Sequence, residues 1–297
     1  IMKKKLIVVT GGAGFVGSNL IDYLIKKTKY NILSLDNYST GRKINQNISK
    51  KVKYIKGETN NIYKLLNKYK KDIDVIFHFG EYARIHQSFS DVRKCFQSNI
   101  SGTSKVFSFC LENNIKIIYS ATSASLGNKG LDQSLSPYAF TKSKNLNLLM
   151  QLNKWYNLKY EALYFYNVYG NRQIQKGRMA TVIGIFENQF KNKKKLTVVK
   201  PGSQSRKFTH IDDTVKGCYF AWKKNMNRHY TISNSKSYTI LQVAGMFAKN
   251  IRLIKKRLGE RNKSSVVKKI GNQKIYNMKC RSSLKSYINA FKENLAK

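Results

Sequence analysis

The sequence VVTGGAGFVGSNL, at residues 8–20, places three evenly spaced glycines between a β-branched run and an apolar stretch typical of a helix. Glycine in such a turn permits close approach of the backbone to a pyrophosphate, close packing of the helix on the strand, and a tight reversal of the chain. The N-terminus of the following helix supplies N–H donors and positive potential. We therefore predict that Gly11, Gly14, Phe15, Val16 and Gly17 bind a dinucleotide.

A carboxylate supports this interpretation. Asp36 ends the next β-branched run, LSLDN, about 20 residues after Gly17, where it would bind the hydroxyls of an adenosine ribose. Because a carboxylate repels a 2′-phosphate, NAD is favoured over NADP as the cofactor, although the nearby Arg42 leaves NADP open.

The fold class follows from the rhythm of the chain. Short β-branched runs alternate with amphipathic stretches as far as about residue 170, and the rhythm then loosens. Such alternation predicts an α/β fold with a Rossmann-like, doubly wound parallel sheet. We predict an NAD-binding domain over residues 1–170, which also receives part of 205–235, and a smaller C-terminal substrate-binding lobe formed mainly by residues 171–297.

The charge of the chain is strongly positive. Its 297 residues include 56 Lys and Arg against 15 Asp and Glu, a formal net charge of +41. Such a charge attracts anionic partners and makes nucleic acid a candidate. The basic residues are, however, scattered along the chain, without a basic helix, a Cys/His finger or an RNA-binding aromatic motif. We therefore expect solvated surface charge and no nucleic-acid partner, and we keep a nucleic-acid-binding protein on a Rossmann scaffold as an alternative of another class.

Cysteine and apolar patterns bear on metal sites and location. Cys95, Cys110, Cys218 and Cys280 form no CxxC pair and the histidines show no HxxxH spacing, so neither a metal site nor a disulfide framework is indicated. No apolar run has the length of a signal-peptide core or a membrane span. We expect reduced thiols in a cytoplasmic protein without a membrane span.

The segment SLSPYAFTKSKN, at residues 134–145, carries the reactive groups. On a helix, Tyr138 and Lys142 lie on the same face. The pKa of a free tyrosine is near 10, and a nearby ammonium favours the phenolate. Upstream, YSATSASLG offers the hydroxyls of Thr122 and Ser123 at the carboxyl edge of a parallel sheet, where such folds bind ligands. A hydroxyl, a phenol and an ammonium beside a nicotinamide predict a proton relay for oxidising an alcohol.

These segments together resemble a known family over almost the whole chain. It is similar to the extended short-chain dehydrogenases/reductases of the NAD-dependent nucleotide-sugar epimerase/dehydratase family, which includes UDP-glucose 4-epimerases. The matching segments, in chain order, are TGGAGFVGSN, LDN, KGE, FHFGEYARIHQS, SNISGT, SATSASLG, SPYAFTK, YFYNVYGNRQ and SRKFTHIDD.

The resemblance implies roles for individual residues. Tyr138 resembles the catalytic base, Lys142 the residue that holds the nicotinamide ribose and lowers the tyrosine pKa, and Thr122 the hydroxyl that bonds the reacting oxygen. The further cofactor-binding residues that it implies are Asn37, Glu58 and Asn99.

The resemblance also implies a nucleotide-sugar substrate and a homodimer. Asn167 and Arg206 match positions that hold the substrate diphosphate, which suits an arginine fork. Ser123 and Arg257 are the other expected substrate contacts, and Arg261 is an alternative to Arg257.

The chain departs from the family pattern at several positions. Glu81 stands where the family has an alanine near the nicotinamide, and both a structural and a functional role remain open for it. The usual arginine before Tyr-Phe-Asn is Tyr164, and the aspartate after the diphosphate arginine is Lys207.

The expected reaction follows from the residues after the catalytic hydroxyl. Dehydratases and decarboxylases of this group carry acids there, whereas this chain has Ser123 and Ala124. The simplest chemistry is therefore C4 epimerisation of a UDP-hexose through a transient keto sugar. Lys176, in QKGRMATV, resembles a lysine in the loop of heptose 6-epimerases, so an ADP-heptose 6-epimerase is an alternative, as is a nucleotide-sugar dehydratase.

Overall fold

The computed structural model describes residues 5–125, 128–263, 266 and 268–296. The strands in chain order are β1 (Leu6–Thr10), β2 (Asn31–Asp36), β3 (Val52–Lys56), β4 (Ile73–His78), β5 (Lys116–Thr122), β6 (Tyr160–Phe165), β7 (Val168–Tyr169), β8 (Leu196–Val199), β9 (Ser205–Lys207), β10 (Thr209–His210), β11 (His229–Ile232), β12 (Ser237–Thr239), β13 (Ile251–Ile254), β14 (Lys269–Ile270), β15 (Gln273–Lys274) and β16 (Tyr276–Met278). The helices are α1 (Phe15–Lys27), α2 (Ile62–Leu66), α3 (Val92–Phe96), α4 (Thr103–Glu112), α5 (Pro137–Tyr156), α6 (Val182–Lys191), α7 (Ile211–Lys224), α8 (Ile240–Phe247) and α9 (Leu284–Ala296).

Eight of these strands form one sheet in the order β16-β11-β6-β5-β4-β1-β2-β3. Every neighbouring pair in it is parallel. This confirms the predicted α/β fold with a Rossmann-like parallel sheet. The order reverses between β1 and β4, and ligands bind such sheets in the crevice at the carboxyl ends of the strands where the order reverses.

Apolar side chains cover both faces of the large sheet, as a fully buried parallel sheet requires. Phe107, Phe109 and Leu149, from α4 and α5, pack on one face, and residues of α1 and α7 pack on the other. A third core joins α6, α8 and α9 around Phe186 and Phe247 and lies apart from the sheet.

The predicted domain division at residue 170 stays a prediction. The third core contains mostly residues after 170, yet β11 and β16 also come after 170 and belong to the large sheet. Within the described ranges, no helix has the length and apolar character needed to cross a membrane.

Helix α5 begins where the sequence signals a start. The side chain of Ser136 caps it by accepting a hydrogen bond from the N–H of Ala139 at 3.1 Å, and Pro137 occupies its first turn. The helix therefore carries Tyr138 at its N-terminal end and Lys142 one turn later, at the carboxyl edge of the sheet.

The turn after β1 requires glycine for steric reasons. A Cβ on Gly17 would lie 2.2 Å from the carbonyl oxygen of Gly11. Gly11 has φ +71°, and a Cβ there would lie 2.9 Å from backbone atoms of Phe79 and Gly80. Helix α1 thus packs directly on the turn, and the turn packs directly on the loop after β4.

Gly17→Ala tests this packing. The new methyl group cannot fit without moving backbone, so we expect a loss of about 1 to 3 kcal/mol in the free energy of unfolding, measured by urea denaturation. The matched control is Gly245→Ala in α8, where a Cβ meets nothing within 4 Å. Alanine favours a helix over glycine by up to about 1 kcal/mol, so the control should be neutral or stabilising. Equal effects of the two changes would contradict the packing argument.

Candidate active site

The dinucleotide end of the crevice is built from backbone. Gly14 is the N-cap of α1; no side chain caps this end, and the first turn holds no acidic residue. The first N–H groups of a helix have no partner within the helix, so they are directed at whatever anion lies beyond it. The tight glycine turn from Gly11 to Gly17 and the open N-terminus of α1 together therefore fit a pyrophosphate such as that of NAD.

Asp36 lies at the end of β2 and contacts this turn. Its carboxylate accepts hydrogen bonds from the N–H groups of Ala13 at 2.9 Å and Tyr38 at 2.7 Å, and the residue is 6% exposed. Burial raises the pKa of Asp36 above its ordinary value, while these backbone donors oppose the change. A carboxylate has about four acceptor sites, so Asp36 can also accept from a ribose hydroxyl.

The remaining predicted cofactor residues fall into two places. The amide of Asn37 donates to both oxygens of Glu58, at 3.2 and 3.1 Å, beside Asp36 at the same edge of the sheet. Asn99 is fully buried. Its amide oxygen accepts from the N–H of Tyr82, and its amide nitrogen donates to the carbonyl of Tyr82 and to the hydroxyl of Thr141. Asn99 therefore fixes the loop after β4 against α5.

Tyr138 is placed against Thr122 at the end of β5. Its pKa is raised, mainly by burial and also by the charge of Glu81, while a hydrogen bond from Thr122 and the charges of Arg84 and Arg261 oppose the rise. This differs from the lowered pKa that the family resemblance leads us to expect from Lys142.

Lys142, one turn from Tyr138, has an acid partner of its own. Its ammonium forms a buried ion pair with the carboxylate of Glu81, donates to the carbonyl of Ser120, and lies 4.2 Å from the ring centroid of Tyr119. The positive charge one turn from Tyr138 is thus matched by a negative charge that the sequence analysis left without a role.

Among the candidate substrate arginines, Arg261 is the one held beside the catalytic hydroxyls. It is 6% exposed, donates to Asp132 at 2.7 Å, and reaches the hydroxyl of Ser123 at 3.2 Å. Arg257 instead lies next to a surface cavity of about 300 Å³ that also involves His86, Gln87, Ser90 and Arg178.

Arg206 and Asn167 lie on the C-terminal side of the crevice. Arg206 pairs with Glu260 at 2.9 Å and donates to the carbonyl of Arg261 at 2.5 Å. Asn167 is exposed, has φ +39°, and donates to the carbonyl of Lys207 at 2.8 Å. The pairing of Arg206 links it to the segment that carries Arg261.

A cation that the sequence analysis passed over, Arg84, connects the loop after β4 to residues 177–180. It donates to the carbonyl of Met179 at 2.9 and 2.5 Å, and Gln87 donates to the carbonyl of Arg178 at 2.5 Å. Lys176, the residue of interest in the heptose alternative, precedes this contact and is exposed. No sequence signal indicates Arg84, because its contact joins loops about 95 residues apart.

With this geometry established, comparison with known proteins identifies the family. Residues 7–233 match the family model described as NAD dependent epimerase/dehydratase family. The chain belongs to this family. It is therefore an NAD-dependent enzyme, and the glycine turn and Asp36 are the features that fit the cofactor.

Individual relatives within the family differ in reaction. Over 255 residues the chain is 30% identical to the ADP-L-glycero-D-manno-heptose-6-epimerase of Brachyspira hyodysenteriae, covering 80% of this chain and 79% of that protein. It is similar to the structure of UDP-N-acetylglucosamine 4-epimerase from Methanobrevibacter ruminantium in complex with UDP-N-acetylmuramic acid, with TM-score 0.82, 27% identity and coverage of 99% and 98%. The UDP-glucose 4-epimerase of Thermotoga maritima shares the fold at TM-score 0.86, with 23% identity and coverage of 98% and 99%.

Asp36→Ala tests the cofactor end. Loss of charged hydrogen bonds to the ribose should weaken NAD binding by about 1.5 to 3 kcal/mol, or roughly 10- to 150-fold in Kd, measured by calorimetry on the apoprotein. The control is Asp72→Ala, since Asp72 is exposed and precedes β4 at the opposite edge of the sheet. An unchanged Kd for Asp36→Ala would mean that another acid holds the ribose.

Proposed function

We propose that this enzyme is a nucleotide-sugar 4-epimerase, acting on C4 of a UDP-hexose. The observation that carries the proposal is the state of the acids beside the catalytic residues. Glu81 is ion-paired with Lys142 and Asp132 with Arg261, while Ser123 and Ala124 follow the Thr122 hydroxyl. No unpaired carboxylic acid thus lies among these residues to expel water, as a dehydratase requires.

The chemistry assigned to the chain is proton transfer and orientation. Tyr138 accepts the proton of the C4 hydroxyl, while the Thr122 hydroxyl bonds the same oxygen and fixes its position. Bound NAD supplies reversible acceptance of hydride at the sugar carbon. The keto sugar rotates in the crevice to present its other face, and Tyr138 returns the proton to the same oxygen. The hydride that NAD would supply to that face restores the alcohol, so there is no net oxidation.

The proposed substrate contacts are cationic or amide groups at the C-terminal side of the crevice. Asn167, Arg206 and Arg257 are proposed to bind the diphosphate, and Ser123 the sugar. Arg261 supports Ser123 by holding its hydroxyl. The similarity to a UDP-N-acetylglucosamine 4-epimerase supports the choice of C4 and of a UDP sugar.

A second candidate is epimerisation at C6 of an ADP-heptose. Two observations favour it. One is the similarity to a heptose 6-epimerase, and the other is the exposed Lys176, which directly precedes the segment 177–180 that Arg84 joins to the loop after β4. In that reaction a second acid/base group would act opposite Tyr138.

We further propose that the enzyme works as a homodimer in the cytoplasm. In support, Phe96 and Phe140 stack with ring centroids 6.3 Å apart on α3 and α5, and each is 38% exposed, as is usual for a face that a partner covers. The four cysteines are free, as expected of a reducing compartment.

Two substitutions separate the candidate reactions. For C4 epimerisation, Tyr138→Phe should abolish turnover of UDP-glucose or UDP-N-acetylglucosamine, read by NMR, without loss of NAD, while Lys176→Ala should cost little. For C6 epimerisation, the rate of the Lys176→Ala enzyme should fall as far as that of the Tyr138→Phe enzyme, by about 10² to 10⁴, since each group then transfers a proton.

The controls and contrary outcomes are equally direct. Lys191→Ala, at the end of α6, removes another exposed lysine and should leave turnover unchanged. Full activity of Tyr138→Phe would overturn the mechanism. Turnover of none of a panel of nucleotide sugars, together with salt-sensitive DNA binding, would favour the nucleic-acid-binding alternative instead.

A further inference from the structure

The carboxylate of Glu81 is fully occupied in the interior. Its side chain is 3% exposed. One oxygen accepts from the hydroxyl of Thr103 at 2.9 Å, the amide of Asn145 at 3.1 Å and the phenol of Tyr119 at 3.2 Å. The other oxygen accepts from the ammonium of Lys142. As the ion-pair partner of the Lys142 ammonium, this carboxylate accepts from all four donors, which lie on α4, α5 and β5.

Glu81 is the end of a chain of hydrogen bonds that runs through Thr103 and His78 to Thr10. The donor and acceptor of each bond can be assigned by starting at Glu81. Because Glu81 only accepts, the Thr103 hydroxyl donates to it, and Thr103 must in turn accept from Nε2 of His78 at 2.9 Å. Nδ1 of His78 then accepts from the Thr10 hydroxyl at 2.7 Å. Thr10 is free to donate because its oxygen accepts from two backbone N–H groups of the loop after β4.

The protonation of His78 agrees with this assignment. Burial lowers the pKa of His78 to about 4, so the ring is neutral and carries one proton, as a chain with a single direction requires. Three linked side chains, those of Thr103, His78 and Thr10, thus anchor Glu81 to the cofactor-binding edge of β1. A surface acid that pairs with a lysine by chance has no such support.

The charged and titratable groups around the reactive pair are few. Tyr138 faces Thr122 from β5, Glu81 and Arg84 from the loop after β4, and Arg261 from the C-terminal segment. Lys142 faces Glu81, Cys95 from α3, His78 from β4, and the ring of Tyr119. Burial lowers the pKa of Lys142 and Glu81 opposes that change.

We propose that Glu81 is a positioning residue of this active site, which fixes the Lys142 ammonium against Ser120 and sets the pH at which the Tyr138–Lys142 pair loses a proton. Glu81 contributes one negative charge beside both groups. A negative charge favours the protonated form of each, so the pair holds its protons to higher pH than it does in a relative with alanine at this position. The direction of this shift in pH is the same whether Tyr138 or Lys142 loses its proton first, because the two titrate as a coupled pair. The inference rests on the proposed role of Tyr138 as the base.

The first test needs neither substrate nor turnover. The apoprotein is labelled with tyrosine carrying ¹³C at Cζ, the Tyr138 resonance is assigned by its loss in Tyr138→Phe, and the resonance is titrated with pH. In Glu81→Gln, every ionisation step that this resonance reports should move to lower pH. Glu81→Ala, which gives the residue usual in the family, is the second variant and should move the steps in the same direction.

The matched control is Glu161→Gln. Glu161 is also buried and pairs with a lysine, Lys116, at 2.5 Å, but it lies on β6 away from the crevice. This change should lower the melting temperature while leaving the Tyr138 steps in place. A purely structural Glu81 would behave in the same way, so unchanged steps in folded Glu81→Gln and Glu81→Ala, or a move to higher pH, would overturn the proposal.

The second test uses turnover and separates this inference from the proposed function. With a nucleotide sugar that the enzyme converts, the acid limb of kcat/KM should move to lower pH in Glu81→Gln, and an unmoved limb would contradict the positioning role. If no nucleotide sugar is converted, the proposed function fails, while the titration of the apoprotein still decides the role of Glu81.

Discussion

The hydroxyl of Thr10 joins the two strands between which the sheet reverses its order. It accepts from the N–H groups of Phe79 at 3.1 Å and Gly80 at 3.0 Å, and it donates to His78. These bonds hold the loop after β4 against the glycine turn, at a distance that only a residue without Cβ allows at Gly11. One side chain therefore holds together the cofactor turn and the loop that carries the acid partner of Lys142.

The high net charge has a structural consequence inside the crevice. With 56 basic residues and only 15 acidic ones, most cations have no acid available, and an unpaired charge is costly to bury. Three of these few acids lie at the crevice and pair with cations there: Glu81 with Lys142, Asp132 with Arg261 and Glu260 with Arg206. Each of these three cations thus enters the site with an acid partner, whereas Arg84 is held there by the carbonyl of Met179.

Local sequence signals predicted the parts of the site that local structure creates. The glycine turn, the acid at the end of β2 and the capped start of α5 each lie within one strand, turn and helix, so their spacing is set by backbone geometry. The fold class followed from the alternation of those units. These features needed no knowledge of how distant segments meet.

The pairings could not be predicted in the same way. Glu81 and Lys142 are 61 residues apart, and Asp132 and Arg261 are 129 residues apart, so their contacts depend on how β4, β5, α5 and the C-terminal segment pack. Arg257 and Arg261 lie in a non-helical segment, where no periodicity indicates which one points inward. The direction of the Tyr138 pKa could not be predicted from the family pattern either, because it depends mainly on burial and also on Glu81, where the family has alanine.

The pair of Glu81 and Lys142 is better understood through charge than through stability. A buried ion pair recovers little more than the cost of removing both charges from water, so alanine at position 81 need not make a relative less stable. What the carboxylate changes is the state of the lysine, whose pKa burial lowers and Glu81 raises. An ammonium has three donors, and within the described chain Glu81 and Ser120 accept from it. We propose that the remaining N–H donates to a ribose hydroxyl of the cofactor, so that Glu81 favours the charged form of Lys142 and still leaves it one donor for NAD.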